Sequence, residues 1–388
     1  MRILVYNDIS LAADYRAGNV NALLSLLSWL ATQGDVTVLH THFKRPAREL
    51  PPNVDVIWRP DYLNLIVRNL RSKLGRRLPF LRYKDSRFKR RHFSRLLRGG
   101  TWDAVVVEYL DNAFLLDAAP IPACTRRIVD LHDLMSARGD SFRSQGIVTN
   151  ENLDIDLATE LEAIARFDTA ICLQASEAAL INEAISRRPA VVTRRNPGVP
   201  IDGFTVPAAP SRDDAPLRIG FLGTTTEFNV DAARQLLGPR HESEGVEYRI
   251  AGSVCGVLTE AAALPNVRLL GRLNDLGEFY AGIDVAANLI RFGSGLKTKN
   301  VESLLFGVPV ITTTVGAEGL EDFIGQGLYV ADDEAAWANA LRELRLGENP
   351  ARHRRQLRER ALAAFESEVV FAALRRELAG SPADPSSS

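Results

Sequence analysis

Short apolar runs alternate with amphipathic stretches along most of the chain. RILVY (2–6), VTVL (36–39), AVVVE (104–108), RIVDL (127–131) and DTAICL (168–173) are rich in Ile, Leu and Val and bounded by polar or turn residues, as buried strands require. Between the first two, Val20, Leu23, Leu24, Leu26, Leu27 and Leu30 recur at helical spacing, and Gly34 ends the helix. Leu157, Leu161, Ile164 and Ala165 mark another helix, and a further one starts at Ser176. A second series begins at residue 218 with RIGFLG (218–223), YRIAG (248–252), VRLLGR (267–272) and the apolar run 283–290. Helices are expected from Asn229, over 334–346 and over 351–378. Strand–helix–strand units with right-handed crossovers make parallel sheets, whose ligands bind beyond the carboxyl ends of the strands.

At 388 residues the chain has room for two such domains, and its composition is that of a globular protein. Cys124, Cys172 and Cys255 are far apart, so neither a disulfide framework nor a zinc site is expected, and a reducing cytoplasm fits. The start, MRILVYND, enters a strand without a signal pattern, and no apolar run is long enough to span a membrane. The net charge of −1 conceals an asymmetry: residues 68–98 hold thirteen Lys or Arg and one acid, Asp85, which leaves the rest near −13.

Residues 288–320 carry the strongest chemical signal. An apolar strand turns through Gly293, Ser294 and Gly295 into a helix where Val301, Leu304 and Leu305 share a face; Gly307 stops it, and Val310 and Ile311 begin the next strand. Glycines let a backbone approach a ligand, and a helix start offers unpaired N–H groups to an anion. Lys297 and Lys299 add two cations there, and Glu302 lies one turn on, so a diphosphate with its ribose would satisfy all three. A solvated Lys–Glu pair on a glycine turn has the same spacing.

This stretch resembles the donor-site signature of the group 1 (family 4-like) glycosyltransferases of GT-B fold. The matching residues are Gly293, Ser294, Gly295, Lys297, Lys299, Glu302, Gly307, Pro309, Val310, Thr313, Gly316, Glu318, Gly319 and Leu320. Many members carry an earlier glutamate where Ser294 stands; Glu302 keeps the ribose-binding place. The resemblance implies an α/β protein with two Rossmann-like domains facing a cleft. The acceptor domain would cover 1–205, with a basic insertion at 62–99. A Pro- and Asp-rich linker would follow at 206–216 and a nucleotide-sugar domain at 217–350. A helical segment at 351–380 would cross back, and 381–388 would be a disordered tail.

Further site residues follow from strand ends and from the resemblance. Asp8, with Arg16, Gly18 and Asn19, follows the first strand, and the family's loop there touches phosphate or acceptor. The HDLMSAR segment is similar to the family's His–Asp turn, which implies that His132 contacts the donor sugar, with Asp133 and Arg138 on the acceptor side. NPGV (196–199) is similar to the turn closing the first domain. Gly223, Thr224 and Arg272 fall in donor-domain loops; TTTEFN (224–229) lacks the Arg and Lys often found there, so Lys297 and Lys299 would hold the phosphates. No metal site or cofactor is expected beyond the nucleotide-sugar donor itself. Asp154 and Asp156 form the chain's DxD, at an expected helix start.

The resulting expectation is a retaining, metal-independent glycosyltransferase with Lys297, Glu302 and His132 at its centre, acting on a glycan or lipid-linked acceptor in envelope polysaccharide assembly. The basic amphipathic stretch, with Arg76, Arg77, Arg87, Lys89, Arg90 and Arg91, would bind an anionic membrane face peripherally rather than nucleic acid. A soluble small-molecule acceptor, or an inactive polyanion-binding relative, are the rival readings. A dehydrogenase is excluded, because DISLAADYRAGN follows the first strand instead of G-x-G-x-x-G.

Overall fold

The structure, a computed structural model, describes residues 1–12, 18–73, 79–147, 149, 152–185, 190–192, 206, 215–346 and 350–380. The chain divides into two compact units. The first holds residues 1–140, 150–198 and 367–388; the second holds 141–149 and 199–366.

In the first unit seven parallel strands form one sheet: β1 (Arg2–Asn7), β2 (Asp35–His40), β3 (Val54–Trp58), β4 (Ala104–Glu108), β5 (Arg126–Asp130), β6 (Thr169–Cys172) and β7 (Ala190–Val192), in the order β3-β2-β1-β4-β5-β6-β7. β3 and β7 lie at its two edges, and neither is among the runs read from the sequence. β3 (VDVIW) carries an aspartate, and only Val54 of its side chains is buried. β1 and β4 are instead apolar throughout their interiors, because both faces are covered. One covering layer is the Gly18–Gln33 helix, whose Leu23, Leu26, Leu27 and Leu30 are fully buried. The C-terminal residues join the same layer: Phe371 stacks on Trp29 at 4.7 Å, and Arg126 donates to the Gly380 carbonyl.

The second unit repeats the plan with six parallel strands: β8 (Leu217–Leu222), β9 (Val246–Ala251), β10 (Val267–Gly271), β11 (Val285–Asn288), β12 (Val310–Thr312) and β13 (Leu328–Val330), ordered β10-β9-β8-β11-β12-β13. Residues 351–366, which the sequence reading placed in the returning segment, belong here instead. The reason is packing. Leu357 and Phe365 are buried, Phe365 stacks on Phe323 at 5.9 Å, and a Cβ on Gly307 would lie 2.3 Å from the Arg354 carbonyl oxygen. Among the described residues no helix is long and apolar enough to cross a membrane.

Candidate active site

Each sheet has one point where the winding reverses: between β1 and β4 in the first unit, and between β8 and β11 in the second. Open α/β sheets bind ligands beyond the strand ends at such a point. In both units the chemistry-bearing side chains gather there.

In the second unit a small pocket is lined by Gly220 and Leu222 of β8, Ala287 and Asn288 of β11, Tyr280, and Lys299 and Asn300 of the Thr298–Leu305 helix. Lys299 donates from Nζ to Asn229 Oδ1 at 2.7 Å, and Asn229 Nδ2 donates to the hydroxyls of Thr224 (2.8 Å) and Thr226 (2.7 Å). The TTTEFN loop thus supplies no cation of its own but holds one from the signature helix. Burial pushes the Lys299 ammonium down to about 8 against the pull of Glu302. Burial likewise pushes the Glu302 carboxyl up to about 7, against the charge of Lys299. Tyr280 donates its hydroxyl to Glu302 at 3.5 Å.

Lys297 immediately precedes the helix; its ammonium donates to the Gly295 carbonyl at 2.8 Å and lies 3.4 Å from Glu318 Oε2. Gly293 and Gly295 have φ of 106° and 75°, a region that side chains avoid, so this loop needs both glycines. The Gly293 N–H donates to the Ser141 hydroxyl at 2.8 Å, and Ser294 lies between the two glycines in the chain.

Several signature residues are there to hold the loop rather than a ligand. Asn288 Nδ2 donates to Asn300 Oδ1 (2.7 Å), and Asn300 Nδ2 to the Gly316 carbonyl (2.8 Å). Thr312 donates to the Asn288 carbonyl at 2.7 Å, and Thr313 to that of Ile290. A Cβ on Gly316 would sit 1.9 Å from Thr312 Oγ1. Gly223 also answers to packing, since a Cβ there would come 2.6 Å from the Phe221 ring. Thr224 and Arg272 are exposed.

In the first unit, Asp8 follows β1 but is not a solvent-facing group. Its carboxylate receives Lys84 (3.1 Å) and Lys89 (3.2 Å), while Lys84 also reaches Asp111 at 3.2 Å. Burial alone would raise Asp8; the two ammonium charges outweigh it and hold it well below the usual carboxylate range. Lys89, nominated from sequence as a membrane cation, is 4% exposed and pairs inward, which corrects that expectation. Arg90 is likewise engaged: it makes two 2.8 Å bonds to Asp85 and donates to the Phe114 carbonyl. Arg87 and Arg91 are exposed, whereas Arg16, Arg76, Arg77 and the 196–199 turn lie outside the described residues.

His132 follows β5 with φ of 61°, buried, its Nε2 2.9 Å from Glu108 Oε2 and 3.6 Å from Asp130 Oδ2. Tyr109, also at φ 61°, stacks on the His132 ring at 4.4 Å, and Lys84 Nζ lies 5.0 Å from the Tyr109 ring centre. Asn19, next to Gly18 at the start of its helix, donates to the Tyr109 hydroxyl at 3.0 Å. Asp133 accepts from Arg138 at 3.0 Å. Glu108, Asp130 and His132 are the one group among the described residues whose donor atoms could together hold a cation; their hydrogen bond makes a polar triad without one. Asp156 of the DxD caps the Leu157–Ile164 helix, accepting the Thr159 N–H at 2.8 Å.

Glu108, Lys84, Tyr280 and Asn229 were not among the site residues read from the sequence. Asn229 ends the TTTEFN loop, which is the nearest signal the sequence held for any of them.

Residues 216–345 match the family model described as "Glycosyl transferases group 1". No curated protein matches the chain. Among solved structures it is similar to a sucrose-phosphate synthase from Thermosynechococcus elongatus, at 15% identity and a TM-score of 0.65, with 97% of this chain and 98% of that one covered. It is also similar to the lipopolysaccharide outer core galactosyltransferase WaaB, at 12% identity and a TM-score of 0.63, over 97% and 98% of the two chains. A third is Anabaena HepE, solved with UDP and glucose, at 14% identity and a TM-score of 0.61, over 97% and 99%. The likeness gives the fold as GT-B, two Rossmann-like domains, as the signature implied.

Proposed function

We propose, from the group 1 glycosyltransferase match of its second unit and its GT-B fold, that this chain transfers a sugar from a nucleotide-diphosphate sugar to an acceptor held by the first unit. The observation that carries the reading is the pair of cations, Lys297 and Lys299, at the start of one helix beside the β8/β11 reversal point, with Glu302 a turn away. Fixed ammonium groups and helix N–H donors can neutralise a leaving diphosphate. Transfer would then be metal-independent, and retention through same-face attack is the stereochemistry we assign to it. UDP is the first nucleotide to test, since Anabaena HepE is solved with it. In a calorimetric screen of UDP, GDP, ADP and dTDP, one nucleotide should bind, and Lys297→Ala/Glu302→Ala should lose that binding. No binding to any of the four would sink the donor reading and favour the inactive relative.

For the acceptor we favour a glycan or lipid-linked molecule at an anionic membrane face, as in envelope polysaccharide assembly. The support has moved from the Arg87–Arg98 helix, whose Lys89 faces inward and whose Arg90 is paired with Asp85, to the Tyr62–Lys73 helix. Leu63, Ile66 and Leu70 recur at helical spacing there and are 72%, 54% and 56% exposed. Residues 62–82 contain six Lys or Arg and no acid. An apolar stripe on a cationic helix suits the lipid interface. Burying each such side chain is worth ~1.5–3 kcal/mol, so Leu63→Glu/Ile66→Glu/Leu70→Glu should weaken co-flotation with phosphatidylglycerol vesicles at least ~100-fold. Wild-type protein that fails to float would favour a soluble acceptor.

A further inference from the structure

At the carboxyl ends of β4 and β5, next to the reversal point of the first sheet, the chain adopts one uncommon conformation twice. Tyr109 and His132 are the two non-glycine residues with positive φ among the described residues, both at 61°. For bulky side chains this is strained backbone, and it persists only where the surroundings enforce it. What it achieves here is visible: the two rings lie face to face, 4.4 Å apart and inclined by 22°. The His132 ring is thereby turned back over the strand ends, where the fully buried Glu108 carboxylate meets its Nε2 at 2.9 Å. Asp130, also fully buried, lies 3.6 Å from the same nitrogen.

With Glu108 as the carboxylate, which can only accept, the 2.9 Å contact places the proton on Nε2. The bond made by one ring nitrogen sets the state of the other. We propose that Glu108 is a positioning residue for His132: its carboxylate fixes the Nε2–H tautomer and ring orientation, with the Asp130 carboxyl on the same side and Tyr109 closing one face. The strain at residues 109 and 132 is what brings these groups together. The inference rests on the reading of His132 as a contact of the donor sugar, and the test separates the two.

The full chain would be labelled with [15N]histidine and its ring nitrogens followed by two-bond 15N–1H correlation, with His132 assigned by its loss in His132→Ala. Wild type should show the Nε2-protonated pattern at neutral pH, and Glu108→Ala should show a mixture of tautomers. A wild-type ring without a proton on Nε2, or one indifferent to Glu108→Ala, would overturn the proposal. Nucleotide release from the donor sugar is the second readout. Glu108→Ala should lower kcat roughly 10–100-fold, as the loss of orienting partners of metal-binding histidines does, while the donor KM stays within about threefold. Glu108→Gln, which keeps an acceptor oxygen, should recover part of that loss and serves if the alanine variant fails to fold. Glu108→Ala/His132→Ala should be no slower than His132→Ala; additive losses would mean that Glu108 acts elsewhere. Full turnover by His132→Ala would remove His132 from the site and leave the tautomer result standing.

Discussion

Replacing Lys297 with alanine should lower donor turnover by about 10²–10³-fold, the usual loss when one fixed donor to a developing anion is removed. The ammonium stands at the first turn of the Thr298–Leu305 helix, held at 2.8 Å by the Gly295 carbonyl and at 3.4 Å by Glu318. Such a group needs little reorganisation when charge builds on a leaving diphosphate, and the helix N–H groups add to it. Lys297→Arg should fall between wild type and alanine, because a planar fork does not reproduce a compact ammonium. Initial rates of nucleotide release, with a melting curve to confirm folding, test this. Turnover within threefold of wild type would remove Lys297 from the chemistry.

The second expectation concerns Glu302 and pH. Its carboxyl, raised from 4.5 to about 7, favours folding when protonated, so that stability is fully present below 4.5 and is lost as pH rises through 7. Lys299 runs the opposite way: lowered from 10.5 to about 8, it adds stability above 10.5 that is lost as pH falls through 8. Between about 7 and 8 both groups weigh against the unliganded fold. Glu302→Gln should therefore reduce the loss of melting temperature between pH 5 and pH 7.5, by up to roughly 3 kcal/mol in unfolding free energy as an upper bound. The same variant should bind nucleotide at least ~10-fold more weakly, since a charged hydrogen bond to ribose is worth roughly 1.5–3 kcal/mol. An unchanged pH profile with weakened binding would leave the ribose role intact and remove the titration; unchanged binding would remove the ribose role.

What could be read from the sequence was local. Strand, glycine loop and helix at 288–312 lie within one stretch, so spacing alone places Lys297, Lys299 and Glu302 together. The core strands were legible because both faces are buried and the runs are continuous. Edge strands β3, β7 and β13 are three to five residues long and left little pattern. Partnerships across the chain left none. Lys89 finds Asp8 from 81 residues away, Lys299 finds Asn229 from 70, and His132 finds Glu108 from 24. A lysine on an amphipathic helix reads as a solvated cation until the strand end that receives it is known. The basic stretch was accordingly read as one surface, whereas part of it is the counter-charge of the first sheet's reversal point.

The return of residues 367–380 to the first unit also orders events on the ribosome. Phe371, Leu374 and Leu378 pack among the apolar side chains of the Gly18–Gln33 helix and β1 to β3, which are made long before them. That layer cannot close until residues 367–380 have been synthesised, and these come after every residue of the second unit. The second unit is therefore able to finish folding first, and the first unit waits, with Trp29 lacking its stacking partner, until Phe371 has been made.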